Sequence, residues 1–319
     1  MSAEISVASG VAEIAFRNET PWHGLGQKVS PDQPVEIWAQ AAHLTWNVRK
    51  EPVSSPSGTC AGWNALVRDD IDQALWVVRD RYQVVQPRQL LDFFHALRDE
   101  GVEMETLGAL QEGRVIWGLG KIPGTVTLRG DDEVNQFLLF ATSYDYTMST
   151  IVRRTTVRVV CANTLEAAMN RGTTYTRTSH AKMFDFQGAL AATRNALTDK
   201  APFEQFTYEA QRLAQRIISR EEMVAFFTNV LWPTATPAEI QENSHAQRRL
   251  AQLVNIAETA PGQTVSSARN TAWGAINAVT YLVDHVRGRS QETRLQSALF
   301  SDGRTLKERA WGQGLALAA

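Results

Sequence analysis

Short runs rich in Val, Trp and Tyr fill the chain from Thr45 to Val85, cut by Pro52, Pro56, Gly58 and the stretch Asp69–Asp72. This pattern predicts a β-meander of three strands, WNVRKEPV, GWNALVRDD and ALWVVRDRYQVV. Pro87 then opens a helical pattern, PRQLLDFFHALRDEG, with apolar positions at Leu90, Leu91, Phe93, Phe94 and Leu97 and with Gly101 after its end. Strand patterns resume at VEMETLGAL from Val102, at RVIWGLGKI and at NQFLLFATSYDY. A strand over Arg153–Val160 runs into a short helix for which Asn163 can act as N-cap with Glu166 three residues on. A further strand is expected over Thr173–Met183.

After Asp185 the pattern becomes helical, over Gln187–Thr198, Phe203–Ile218, Arg220–Trp232, Pro237–Thr259, Ser267–Val286, Gln291–Leu299 and Leu306–Leu317. Two starts are well marked: Ser219-Arg-Glu-Glu222 is a capping box, and Thr236-Pro-Ala-Glu239 adds proline at the first helical position. The first fifty residues mix turn signals with one short helix, Val35–His43. The fold class expected is α+β: a β-rich region with antiparallel sheet and packed helices over residues 1–185, then an all-α region over 186–319.

Charge changes this picture. Residues 1–150 carry 12 basic and 20 acidic side chains, whereas 151–319 carry 20 basic and 14 acidic. The excess is concentrated in Ile151–Met183, where Arg153, Arg154, Arg158, Arg171, Arg177 and Lys182 face the single acid Glu166. Alternation in RRTTVRVV places Arg154, Thr156, Arg158 and Val160 on one face, with Arg153, Thr155, Val157 and Val159 on the other. A basic, Thr-rich sheet face suits a phosphate backbone. The alternative is a solvated face whose arginines pair with carboxylates of the acidic half.

Motifs narrow the function classes. No G-x-x-x-x-G-K-[ST] loop and no G-x-S-x-G elbow occur, and the six histidines form no H-x-x-x-H pair. Gly118-Leu-Gly120 lacks the third glycine of a dinucleotide loop and reads as a β-turn. Cys60 and Cys161 lie far apart without ligand spacing, which fits a reducing cytoplasm; no cofactor or metal is expected. Cys161, at a strand-to-helix junction, reads as a small buried residue rather than a reactive thiol. His23 in PWHGLG reads as a turn anchor, Asp145 in SYDYTMST as a hairpin-turn residue, and most of the nine Trp as core aromatics. No apolar run is long enough for a membrane helix, and the N-terminus lacks the pattern of a signal peptide.

PWHGLG, VVRDRYQVVQPRQLLDFF (Val77–Phe94), ETLGALQEGRVIWGLGKI (Glu105–Ile122), VRVVCANTLEAAM (Val157–Met169) and the strand containing Thr178–His180 together resemble the phage/plasmid-like protein family, a domain of unknown function numbered 932. The resemblance covers roughly residues 20–200 and is most specific at VRVVCANTL. The family brings no established catalytic residues, so none is carried over. It implies a setting on phages, prophages and plasmids in a bacterial host cell. Such elements encode ATP-independent single-strand annealing proteins that work as oligomers along basic grooves, which is an analogy of architecture.

These readings converge on an expectation: a non-enzymatic, cytoplasmic protein that binds single-stranded DNA as a homo-oligomer and assists annealing or recombination. Arg153, Arg154, Arg158, Arg177 and Lys182 are the expected phosphate contacts, with Arg171 and His180 beside them and Tyr175 as a stacking platform. Two alternatives stand beside it. One is an interaction or counter-defence protein that binds a host protein. The other is a nucleic-acid-processing enzyme whose site the sequence does not reveal.

Overall fold

The structure, a computed structural model, describes residues 4–8, 10–21, 23–30, 32–129, 133–155, 174–286 and 302–319. The chain is α+β, with a β-rich N-terminal half followed by helices. It forms two compact units, Met1–Gly124 with Asn135–Asp199, and Thr125–Val134 with Lys200–Ala319.

The first unit begins with four short strands, β1 (Val7–Ala8), β2 (Val11–Ala12), β3 (Ile14–Phe16) and β4 (Gln27–Lys28), followed by helix α1 (Val35–Ala41). The expected meander follows as β5 (Val48–Ser55), β6 (Gly58–Arg68) and β7 (Gln73–Arg79), antiparallel in that order. Helix α2 (Pro87–His95) starts at its proline, and the Gln89 side chain accepts the Gln86 backbone N–H at 2.9 Å. Strands β8 (Glu103–Leu110), β9 (Val115–Thr127), β10 (Glu133–Ser143), β11 (Thr150–Thr155) and β12 (Thr174–Thr178) and helix α3 (Phe186–Thr198) follow, the end of β9 from Thr125 and the start of β10 to Val134 falling in the second unit.

Among the described residues, one seven-stranded sheet has the order β12-β11-β10-β9-β8-β3-β4, with β12 at its edge. It is antiparallel at β11–β12, β10–β11, β8–β9 and β3–β8, and parallel at β3–β4. One face presents Leu107, Ile116, Leu138, Phe140 and Val152 to a core shared with Phe93 and Phe94 of α2 and Leu190 of α3. The opposite face gathers Ile14, Trp117, Leu119, Leu139 and Ile151. Period-two alternation thus feeds two cores.

Gly118 and Gly120 correct one expectation. They lie inside β9 rather than in a turn. A Cβ on Gly118 would fall 2.5 Å from Leu90 Cδ2 and 2.6 Å from Phe94 Cε2, and one on Gly120 would fall 2.6 Å from Val102 Cγ1. The missing side chains let α2 lie close against the sheet.

A buried charge cluster ties the meander to the start of β3. Arg68, about 1% exposed, donates from both Nη atoms to Glu13 (3.0 and 2.6 Å), which is itself fully buried. It also donates through Nε and Nη2 to Asp70 (3.1 and 2.8 Å) and lies 4.2 Å from the Trp46 ring centroid. A fork of this kind satisfies a buried guanidinium with charge-assisted bonds.

The second unit contains α4 (Ala201–Gln215), α5 (Arg220–Leu231), α6 (Pro237–Glu242), α7 (Ser244–Thr259), α8 (Ala272–Tyr281) and α9 (Asp302–Leu317). Both expected capping boxes are present. Ser219 Oγ accepts from the Glu222 backbone N–H, and Thr236 Oγ1 from that of Glu239. The helix expected over Pro237–Thr259 is instead two, because Asn243 accepts from the backbone N–H groups of His245 and Ala246 and restarts the chain as α7. The expected Ser267 start moves to Ala272, where Thr271 Oγ1 accepts from Gly274 N. The π-helical turn Leu282–Val286 ends the α8 segment. Leu213, Phe227, Leu253, Ala275 and Val279 form the centre of this unit's core.

Candidate nucleic-acid interface

The candidate surface is the outer edge of the large sheet. In β11, Ile151 pairs with Arg177, Val152 with Thr176 and Arg153 with Thr174, with a bulge between Val152 and Arg153. Bulges re-aim side chains. β12 is TYTRT, followed by the tight turn Ser179–Lys182, in which Lys182 N donates to Ser179 O at 2.9 Å.

The expected contacts separate into distinct environments. Arg177 and Lys182 are exposed. Among the described residues, neither forms an ion pair with a carboxylate. Arg154 is half-buried on the helix-covered face, opposite Leu138, while Arg153 is about 6% exposed and faces Leu139 across β10. The alternation predicted for this pair is therefore real, but both faces are covered. Arg158 and Arg171 lie outside the described residues, as do Asn163, Cys161 and the VRVVCANTL element.

Tyr175 and His180 do not stand out from the surface as the sequence reading expected. The Tyr175 ring is half-buried against the core of the helix-covered face. Burial raises its hydroxyl pKa, with the Arg154 guanidinium pulling the other way. His180 is about 7% exposed and stacks on Tyr82, with ring centroids 4.6 Å apart at 15°. Its Nε2 lies 2.8 Å from the Met148 carbonyl oxygen. A carbonyl only accepts, so Nε2 carries the proton. Burial holds the imidazole below its ordinary pKa, with Met148 O and the Asp145 carboxylate opposing.

His180 belongs to a small aromatic cluster that fixes the β10–β11 turn. Tyr82 Oη donates to Ser143 O at 2.6 Å, and Tyr144 Oη donates to Val85 O at 2.9 Å. Tyr82 also packs edge-on against Tyr146. Burial pushes the Tyr82 hydroxyl well above the usual phenol range. Asp145 Oδ1 accepts from Thr147 N at 3.0 Å, a turn role as expected. Tyr82 lies in VVRDRYQVVQPRQLLDFF and Met148 in SYDYTMST, but neither stretch marks its role, which only closeness in space to His180 reveals.

Other singled-out residues also take structural roles. His23 Nδ1 accepts from Leu25 N at 3.1 Å, inside a turn whose Gly26 has φ +103° and no space for a Cβ beside Ile14. Trp38, Trp46 and Trp117 are core residues, while Trp63 and Trp76 on the meander remain partly open, Trp76 at 45%. Among the described residues, no group of three or more His, Cys, Asp or Glu side chains could hold a metal ion. No described helix is long and apolar enough to cross a membrane.

A family model described as "Domain of unknown function (DUF932)" matches residues 74–301. The chain belongs to this family. The match starts after PWHGLG and extends across most of the helical unit, further toward the C-terminus than the motifs quoted above. No curated protein and no solved structure matched the chain.

Proposed function

We propose that this member of the DUF932 family binds single-stranded DNA along the β11–β12 edge, without ATP and as a homo-oligomer, in support of annealing or recombination. The observation that carries this reading is the pair of exposed cations on β12 and its following turn, Arg177 and Lys182, close in sequence to the exposed hydroxyl residues Thr174 and Ser179. Cations and short hydroxyl side chains are the groups that contact phosphate and sugar without reading bases. Arg154 is half-buried beside this edge and is not counted among the exposed contacts. Arg153, His180 and the Tyr175 ring support the strand from inside and are not contacts in this proposal.

The test is fluorescence anisotropy of a labelled single-stranded oligonucleotide at low salt. Arg177→Glu with Lys182→Glu is expected to weaken binding by at least about tenfold, because two phosphate contacts become repulsive. The dependence of log affinity on log salt should flatten by about 1.4, from about 0.7 per lost phosphate contact on a single strand. Unchanged affinity in the folded double variant overturns the assignment. Light scattering behind size exclusion, with and without the oligonucleotide, tests the oligomer.

A second reading, an interaction protein that engages a host protein, draws on the meander. There Trp76 and Val77 are exposed on a three-stranded sheet bordered by Asp69, Asp72 and Asp80. One stoichiometric protein partner, lost on Trp76→Ala and recovered without any oligonucleotide binding, would favour it.

A further inference from the structure

The helical unit holds a cleft of about 350 Å³ lined by Leu231, Trp232, His245, Arg249, Leu282, Thr305, Leu306 and Arg309. Its volume falls at the lower end of small-molecule sites, which run from about 300 to 1,000 Å³. Trp232 closes the end of α5, His245 and Arg249 come from α7, and Arg309 from α9. Three helices therefore converge on one concavity.

Among the described residues, its charge is lopsided. Arg249 is half-buried and donates from Nη1 to Gln252 Oε1 at 2.8 Å. Arg309 is half-buried and donates from Nη1 to Val230 O, in the last turn of α5, at 2.7 Å. Among the described residues neither guanidinium is paired with a carboxylate. A guanidinium carries five N–H donors in a fixed fork, and each of these uses one in the bonds above. Two half-buried cations facing one cleft repel each other unless an anion sits between them. The neutral bonds to Val230 O and the Gln252 amide hold the groups in place without cancelling their charge. Leu231, Trp232, Leu282 and Leu306 supply apolar wall beside them.

A cleft of about 290 Å³ in the first unit provides the contrast. It is lined by Asp32, Arg98 and Glu103 together with Trp38, Phe94 and other apolar residues, so charges of both signs meet there. That cleft has no net preference for an anion.

We infer that the α5–α7–α9 cleft is a binding site for a compact phosphate monoester with a planar organic part, the phosphate held by Arg249 and Arg309 and the planar part against Trp232. Arginine forks match phosphate oxygens two at a time, and an indole face accepts a planar ring. This inference does not rest on DNA binding at β12, and its test uses different residues.

The experiment is isothermal titration of the full-length chain at low salt with adenosine 5′-monophosphate, adenosine and inorganic phosphate as probes. The monophosphate is expected to bind at least roughly tenfold more tightly than adenosine, because the phosphate carries the charge-assisted bonds. Arg249→Gln and Arg309→Gln are each expected to weaken it at least about fivefold. Trp232→Ala should weaken the monophosphate and leave inorganic phosphate unchanged. No heat with the monophosphate at millimolar concentration overturns the inference, as does wild-type affinity in Arg249→Gln. Arg249 bonds only a side-chain amide on its own helix, so that variant stays informative if Arg309→Gln, which loses its bond to Val230 O, fails to fold.

Discussion

Two arginine-bearing strands of the first unit use the same side chain in opposite ways. On β6, Arg68 is sealed from water between Glu13 and Asp70 and lies over Trp46. On β12, Arg177 extends into solvent with no carboxylate in pairing distance among the described residues. The first charge is spent on holding the chain together. The second contributes little to folding and is available to a partner. A basic residue count cannot distinguish them, since what separates them is the set of atoms each guanidinium touches.

The contrast breaks most visibly at Arg68. Arg68→Met would leave Glu13 buried and uncompensated, and is expected to cost about 3–5 kcal/mol of unfolding free energy. Urea denaturation followed by far-UV circular dichroism measures it; a cost below about 1 kcal/mol would mean that the pair is not structural. Glu13→Gln together with Arg68→Met should recover part of the loss, since both charges are then gone.

His180 sharpens the comparison because it lies in the basic stretch yet is built like Arg68. His180→Phe keeps a ring for Tyr82 but loses the bond to Met148 O, and is expected to cost about 1–3 kcal/mol. The pH dependence follows from the direction of its shift. The folded imidazole has a lowered pKa, so near pH 6.5 the unfolded chain binds a proton that the folded chain does not. The stability associated with the neutral ring is fully present above about pH 6.5 and is lost as pH falls from there toward the folded value. Thermal melts from pH 7.5 to 5 should show this decline in the wild type and a shallower one in His180→Phe.

The smallest stability effect belongs to the edge. Arg177→Ala is expected to change unfolding free energy by no more than about 0.5 kcal/mol, in the range of ordinary surface substitutions. A larger loss would place Arg177 with Arg68 and remove the ground for assigning it to a ligand.

How much of this was legible depends on the range over which each signal acts. Helix starts are local, so Pro87, Ser219 and Thr236 mark α2, α5 and α6 where the structure has them. The meander was legible for the same reason, since its strands are long and separated by turn residues. Strands β1–β4 were missed because runs of two or three residues carry no readable period. The split at Asn243 was missed because a capping side chain inside an otherwise continuous apolar pattern leaves the pattern intact. The glycines of β9 were misassigned because Gly118 and Gly120 answer to Leu90 and Phe94, which precede them by more than twenty residues.

The candidate site was legible only as composition. The basic run and its strand character are in the sequence, whereas the burial of Arg153 and His180 depends on β10 and Tyr82. The α5–α7–α9 cleft left no mark at all, because Trp232 at the end of α5, Arg249 in α7 and Arg309 in α9 share no spacing.

The position of β12 at the rim of the sheet, among the described residues, has a consequence for solubility. An outermost strand offers backbone N–H and C=O groups to any other extended chain and can seed sheet-to-sheet aggregation. Arg177 and Lys182 act there as gatekeepers, because stacking a second copy along this rim would bring like charges together. Replacing them with valine would strip that protection from a threonine-rich strand with a strong bias toward further pairing, so charge reversal is the cleaner way to probe this edge.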